Sequence, residues 1–413
     1  MPARTTDVVI IGAGIIGLCI AHQLRRRSDL DVVVLEKGTG LGDGSTGGSA
    51  SVTRQRYSQP EDIRLARDGN RVFANWAEFT GLPEPKAVYR PVGVLWIMGQ
   101  DRPTVAADVA RLRAEDIDAV SIDATELKER FPALSACNAP FDLTGERRHE
   151  CREGEAFLLE QDSGYFDATE ALQDLADAVE LAGIDLRMRT EVTDVLTTGS
   201  KAYGVKTADG GRIHAGTVIN AAGPWCNGLN RLAGFEMPWT LVPTRVQVIY
   251  RELPAEVVKP IPVVGDASTG IYFRPESGGQ QILMGSTLEA DELEEADPDT
   301  YNRNADRSFV DSKIHALHHR IPSLPHRGTP DGMAGVYTIN REDVHPVIGP
   351  TPIDGFVVVN GFSGHGFKEA PMVGAMVAEW ITGERARYDT DVDMGFYSHD
   401  RDPIPTTDKN VLA

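Results

Sequence analysis

The sequence predicts an α/β protein with two interleaved domains, the second of α+β type, and three observations carry that prediction. The chain is 413 residues long, more than one typical core organises. It opens on an apolar run, a glycine turn, a helical segment and a second apolar run. An apolar run, a glycine turn and a helical segment recur near the C-terminus, and the sequence between them is rich in short strand signals.

The opening stretch justifies its elements in order. Val8-Val9-Ile10-Ile11 has the length of a buried strand and leads directly into Gly12-Ala13-Gly14-Ile15-Ile16-Gly17. Leu18 to Arg27 carry helical spacing, and Val32-Val33-Val34-Leu35 closes on Glu36 and Lys37. Together these read as a Rossmann-like βαβ unit. Gly12 permits the tight turn, Gly14 lets the backbone approach a pyrophosphate, and Gly17 lets the helix pack closely on the strands. The helix N-terminus offers free N–H groups and a partial positive charge to phosphates. Glu36 stands where an acid accepts hydrogen bonds from a ribose diol. The unit predicts dinucleotide binding without choosing between FAD and NAD.

Composition narrows the function classes. A hydrophobic fraction of 41% with 25% charged residues is ordinary for a globular protein. The formal net charge of -20 and pI near 4.9 argue against nucleic-acid and anionic-membrane partners. Cys19, Cys137, Cys151 and Cys226 fall at no metal-ligand spacing, so free thiols and no metal are expected. No apolar run reaches membrane-spanning length, and the first strand starts too early for a signal peptide, which makes a cytoplasmic location the default expectation.

Gly38 to Ser51 is a loop of Gly, Ser and Thr that suits a ligand-wrapping role and runs into Thr53-Arg54-Gln55-Arg56-Tyr57. Arg64 to Gly81 reads as one helix, Gly93 to Ile97 as a strand, and Val105 to Glu115 as an amphipathic helix. Cys137 to Glu155 reads as a charged surface excursion. Asp167 and Glu170 form the start of a helix that Gly183 stops. Ile184–Met188, Val192–Leu196, Gly204–Thr207 and Gly216–Ile219 read as strands, the last ending in Asn220-Ala221-Ala222-Gly223-Pro224-Trp225. Strand signals dominate Thr240 to Gly285. The acidic stretch Glu289 to Asp306 reads as a solvated face, and Ser308 to Ile321 as a helix with surface histidines. Gly355 to Asn360 is a strand, followed by Gly361-Phe362-Ser363-Gly364-His365-Gly366-Phe367-Lys368 and an apolar helix ended by Gly383. Residues beyond about Arg385 lack periodicity and read as an extended tail.

The turn GAGIIG with Glu36, the loop GSTGGSASVTRQRY, NAAGPW at 220 to 225, GVYT at 335 to 338, HPVIGP at 345 to 350 and GFSGHGFK at 361 to 368 carry a resemblance spanning nearly the whole chain. The chain resembles the D-amino-acid-oxidase-type flavoprotein family, in its sarcosine oxidase, glycine oxidase and dimethylglycine dehydrogenase branch. The resemblance implies FAD, held by a discontinuous domain of residues 1–86, 162–225 and 335–385. A mixed-sheet substrate domain of residues 87–161 and 226–334 would cover the flavin, leaving 386–413 as the tail.

Beyond the N-terminal motif, the cofactor contacts implied are Ser45, Thr46, Ser49, Ala50, Ser51, Val192, Ala222, Gly223, Trp225, Gly335, Gly361, Gly364, His365, Gly366, Phe367 and Lys368. Backbone N–H groups of Gly364 to Phe367 would face the flavin edge where negative charge builds. The chemistry implied is oxidation of an amine carbon by hydride transfer to flavin, followed by imine hydrolysis. Arg54 and Lys368 match the family's carboxylate-binding pair, and Tyr337 an aromatic lining the substrate site. The partners implied are a small carboxylated amine and either oxygen or an electron carrier; the oligomeric state stays open.

Four positions depart from the branch. Gly335 stands where monomeric sarcosine oxidases link flavin through cysteine, so FAD is expected to be noncovalent. Leu283 stands where they place a lysine that promotes reaction with oxygen. Thr287 replaces a histidine, and Ser51 an arginine near the flavin. An amine oxidase is the first reading, with a dehydrogenase of the same substrates or a D-amino-acid or glycine oxidase as alternatives. An NAD-dependent dehydrogenase would leave GFSGHGFK unexplained, and a flavin-binding module without turnover is a third class.

Overall fold

A computed structural model describes residues 4–406. In it β1 (Arg4–Ile11), α1 (Ile15–Arg27) and β2 (Val32–Leu35) follow in immediate succession, with β1 and β2 paired in parallel. Strand side chains alternate between faces, so Val8 and Ile10 enter one core while Val9 and Ile11 enter another. Burial on both faces explains a run with no polar residue.

The segment expected as one helix is two, α2 (Pro60–Ala74) and α3 (Trp76–Thr80). Pro60 at the first helical position advances the start, because its fixed φ suits a helix and its missing N–H would have had no partner there. Asn75 breaks the helix with φ −124° and ψ 36°. Next come β3 (Val94–Ile97), α4 (Arg102–Ala114), β4 (Ala119–Ile122), α5 (Ala124–Arg130) and β5 (Phe157–Glu160). The last three are too short for periodicity to reveal them. α6 (Ala168–Leu181) begins where its cap predicts, with the Asp167 carboxylate accepting the Glu170 N–H at 2.8 Å.

β6 (Asp185–Arg187), β7 (Val192–Thr198), β8 (Lys201–Thr207), β9 (Arg212–Asn220) and α7 (Cys226–Leu232) complete the first half. The second half holds β10 (Leu241–Glu252), β11 (Val263–Asp266), β12 (Ile271–Glu276), β13 (Gln281–Ser286) and α8 (Arg307–Arg320). β14 (Asp331–Asn340), β15 (Val347–Pro350), β16 (Phe356–Asn360) and α9 (Gly366–Thr382) follow. Among the described residues no helix is long and apolar enough to cross a membrane.

Two sheets organise these elements. The first has the order β15-β16-β9-β1-β2-β6 and is parallel from β16 to β6, with β8 and then β7 attached beyond β9. The second runs β14-β10-β13-β12-β11-β3-β5-β4 and is mixed, β11 with β3 being its parallel pair. The strand holding Gly335 and Tyr337 belongs to the second sheet, since β14 pairs with β10 along its whole length. A boundary at residue 335 therefore falls inside a strand.

The tail corrects its reading as an unpacked extension. Val392, Tyr397 and Ile404 are buried in the same core as α1 and α9. The Tyr397 hydroxyl donates to Asp62 on α2 at 2.7 Å, while His345 Nε2 meets the other Asp62 oxygen at 2.8 Å. Arg401 pairs with buried Asp343 at 2.9 Å, and the indole of Trp239 donates to the His399 carbonyl. Single anchors at irregular spacing leave no periodic signal, which is why the sequence hid this packing. Tyr397→Ala should destabilise the protein by about 3–5 kcal/mol, the range for deleting a buried aromatic, measured by denaturant unfolding. A solvated tail would give a change within about 0.5 kcal/mol.

Candidate active site

The site begins where β1 ends. Gly12 has φ +107°, and a Cβ there would lie 2.6 Å from the Ala221 carbonyl oxygen, so only glycine lets the NAAG segment cross this turn. A Cβ on Gly17 would lie 2.0 Å from the Gly12 carbonyl oxygen. Gly17 therefore seats α1 on the turn.

Helix α1 opens at Gly14 with no side-chain cap from that residue, and the Ile15 N–H donates to Thr46 Oγ1 at 3.2 Å. The first turn of a helix leaves N–H groups without internal partners, and here they stand at the wall of a cavity. Glu36 is fixed by the N–H groups of Ala13, at 2.9 Å, and Gly38, at 2.7 Å. Each carboxylate oxygen keeps a lone-pair direction for a further donor. At the same end Lys37 lies 3.9 Å over the Trp225 ring, and both donate to Asp299.

The opposite end is built by β16, β14 and α9. Asn220, Asn230 and Asn360 form a closed set of buried amide hydrogen bonds under the ends of β9 and β16. The turn after β16 is tied to β14 by Ser363, whose N–H donates to the Thr338 carbonyl and whose hydroxyl accepts the Asn340 N–H. Ser363 and Ser51 hold φ of 48° and 46°. Non-glycine residues rarely adopt that conformation and cluster at functional sites when they do.

Arg54 and Lys368 meet at one aromatic ring. Both are buried, and both face Tyr57, the guanidinium at 4.0 Å and the ammonium at 5.8 Å from its ring. Burial first and the Arg54 charge next lower the Lys368 pKa to about 7, with Glu369 and Glu160 opposing. Burial pushes the Glu369 carboxyl up, against the pull of Lys368.

Sequence reasoning missed Glu160 entirely. It is fully buried and accepts the N–H groups of Gln55 at 2.7 Å and Arg56 at 3.0 Å and the indole N–H of Trp96 at 2.8 Å. It thereby fixes the strand-like segment carrying Arg54. Burial also raises its pKa, opposed by these hydrogen bonds and by the Arg54 charge. Its signal is silent in sequence because Gln55 lies more than a hundred residues away.

One cavity of about 1080 Å³ joins the two ends. Every residue implied as a cofactor or substrate contact lines it except Gly17 and His365, while Leu283 and Thr287 lie outside the lining. His365, implied through its backbone N–H, donates that N–H to the Phe362 carbonyl at 2.8 Å. Its ring is buried edge-on against Tyr57 at 5.4 Å, so it supports the wall and does not face the cavity. The acidic stretch is a correction, because Asp291 and Glu292 line the cavity and the Tyr337 hydroxyl donates to Glu292 at 2.8 Å. Tyr337 and Lys313, which pairs with Asp291 at 2.6 Å, draw those carboxylates inward.

These features fit FAD on the geometry alone. The glycine turn and the α1 N-terminus would hold the pyrophosphate, and Glu36 a ribose. Gly364, Gly366 and Phe367, where α9 starts, would face the flavin. A family model described as FAD dependent oxidoreductase matches residues 7–380. FAD-dependent oxidoreductase domain-containing protein 1 of Mus musculus is 30% identical, over 92% of this chain and 82% of that protein. Peroxisomal sarcosine oxidase of Mus musculus is 26% identical, over 92% of this chain and 93% of that protein. The crystal structure of L-proline dehydrogenase from P. horikoshii is similar at TM-score 0.79 and 26% identity, over 96% of this chain and 97% of that one. With the family model covering nearly the full length and its cofactor cradle in place, the chain belongs to the FAD-dependent oxidoreductase family.

Proposed function

We propose that this protein oxidises the C–N bond of a small carboxylated amine, such as an N-substituted glycine or another amino acid, with noncovalently held FAD and oxygen as the electron acceptor. The observation that carries this reading is the pair of buried cations, Arg54 and Lys368, facing one aromatic ring at the α9 end of the cavity. Two like charges taken out of water disfavour each other, and an incoming carboxylate relieves both. Arg54 offers a planar fork to its two oxygens and Lys368 a point charge. Tyr337 lies in the same cavity, held by Glu292, and would bound the amine side.

FAD, when bound, supplies a two-electron acceptor for the hydride leaving the carbon next to nitrogen. The chain's own residues bind the carboxylate, orient that carbon and exclude water around it. A Cβ at Gly335 would meet nothing within 4 Å. The glycine thus leaves open space at the cavity wall and offers no thiol for attachment. The two enzymes compared above for which a substrate is named act, by those names, on sarcosine and L-proline, both carboxylated secondary amines, which supports this substrate class.

A second reading, a dehydrogenase passing electrons to another acceptor, is favoured by Leu283. In β13 it stands opposite Arg274, on the face that Tyr272 presents to the cavity. The residue is buried and apolar where the resemblance places a lysine.

Removing one member of a buried charged set costs about 2–5 kcal/mol. Arg54→Ala should therefore lower kcat/KM by roughly 30-fold to a few thousandfold with FAD content near that of the parent. Loss of flavin with unchanged substrate affinity would contradict the assignment. Stopped-flow reoxidation tests the acceptor: air should reoxidise the reduced protein faster than free reduced flavin, and Leu283→Lys should accelerate this by roughly tenfold or more, about 1.4 kcal/mol. Slow reaction with air beside fast reaction with a dye would establish the dehydrogenase reading instead.

A further inference from the structure

Outside the lining of the flavin cavity, the excursion between α5 and β5, together with α8, carries a cluster that no part of the redox chemistry uses. Cys137, His149 and His319 each offer a ligand atom, and these atoms all lie within 4.8 Å of one another. Cys137 Sγ and His149 Nε2 are 3.2 Å apart. Cys151 follows two residues after His149 on the same arm of the excursion. We propose that Cys137, His149, His319 and Cys151 form a structural site for a zinc-class divalent cation that pins residues 138–152 to α8.

Thiolate and imidazole are the donors that Zn2+ prefers, and four of them with no open position is the pattern of a structural site. Zinc bonds of about 2.3 Å to sulfur and 2.0–2.1 Å to nitrogen put tetrahedral ligand atoms roughly 3.3–3.8 Å apart. The ligand atoms of Cys137, His149 and His319 need only a small contraction to reach that spacing.

An independent observation points the same way. His319 Nε2 is buried with no hydrogen-bond partner among the described residues. A buried nitrogen of this kind calls for a ligand, since leaving it unpaired is costly.

The surroundings are those of a held site. Phe141 stacks on the His319 ring at 4.4 Å and meets His149 edge-on at 5.3 Å, walling one side from water. The Cys137 carbonyl accepts Arg320 Nη1 at 2.9 Å, and Arg320 is neutralised by fully buried Asp266 at 2.7 Å. The backbone bridge between Cys137 and Glu153 brings the two arms of the excursion back together beside α8. On binding, the metal takes the place of thiol protons, which leave to solvent. Linear spacing cannot show this cluster, because His319 comes from a helix distant in sequence.

The test uses the full-length holoprotein, stripped with a chelator and titrated with Co2+ as the spectroscopic probe. One equivalent should produce tetrahedral d–d bands on the red side of the flavin absorption, and Zn2+ should displace them. Cys137→Ser and, separately, His319→Ala should abolish the bands while retaining FAD. Absence of tetrahedral bands at one equivalent in the parent overturns the proposal even if a variant fails to fold. So do unchanged bands in folded Cys137→Ser, or a Cys137–Cys151 disulfide in the freshly isolated protein.

Discussion

Burial of Arg54 and Lys368 against Tyr57 is the constraint on which the rest of the site depends. Two cations removed from water are costly unless carboxylates or hydrogen bonds answer them. Glu160 answers on the Arg54 side while also clamping the backbone of Gln55 and Arg56. Glu369 answers beside Lys368 on the first turn of α9. A lysine at a helix N-terminus opposes the helix dipole, so the arrangement is sustained only where anionic neighbours lie close.

The same constraint explains why the site sits between two sheets. The first sheet aims the carboxyl ends of β1 and β2 and the N-termini of α1 and α9 at one cavity, the usual ligand position in parallel sheets. The second sheet closes it through β10, β12 and β14. Ser363 stitches β14 to the turn before α9, so the cofactor cradle and the covering sheet share hydrogen bonds. The tail contributes from behind, because Tyr397 and His345 hold the two oxygens of Asp62 on α2, whose partner in packing is α9.

Elements with a local physical signature were readable from sequence. The βαβ unit, the capped helix at Asp167, the NAAG strand end and the GFSGHGFK turn all declare themselves through glycine, caps or periodicity within a few residues. Arg54, Lys368 and Tyr337 were reached through the family resemblance, and they come together in one cavity. What stayed hidden is long-range. Glu160, Tyr57 and Glu292 look like ordinary strand, loop and surface residues until the fold sets them beside Arg54 or Tyr337. The tail and the thiol–imidazole cluster share that character, since each depends on single contacts across distant segments.

The central claim, that two buried cations take up a carboxylate beside the flavin, is tested most directly by titrating the oxidised holoprotein with a monocarboxylate that carries no amine. Perturbation of the visible flavin band gives the affinity as a function of pH. A carboxylic acid with a pKa of about 4 stays anionic above mildly acidic pH, whereas Lys368, lowered to about 7, loses its charge as pH rises through that value. The upward-shifted Glu369 carboxyl becomes charged over the same range and acts in the same direction. Affinity should therefore be level at mildly acidic pH and fall as pH rises through about 7, while Lys368→Met binds weakly and keeps only the part of the pH dependence that Glu369 supplies. A neutral amide analogue binding as tightly as the acid, or an affinity in the parent that ignores pH, would contradict the account.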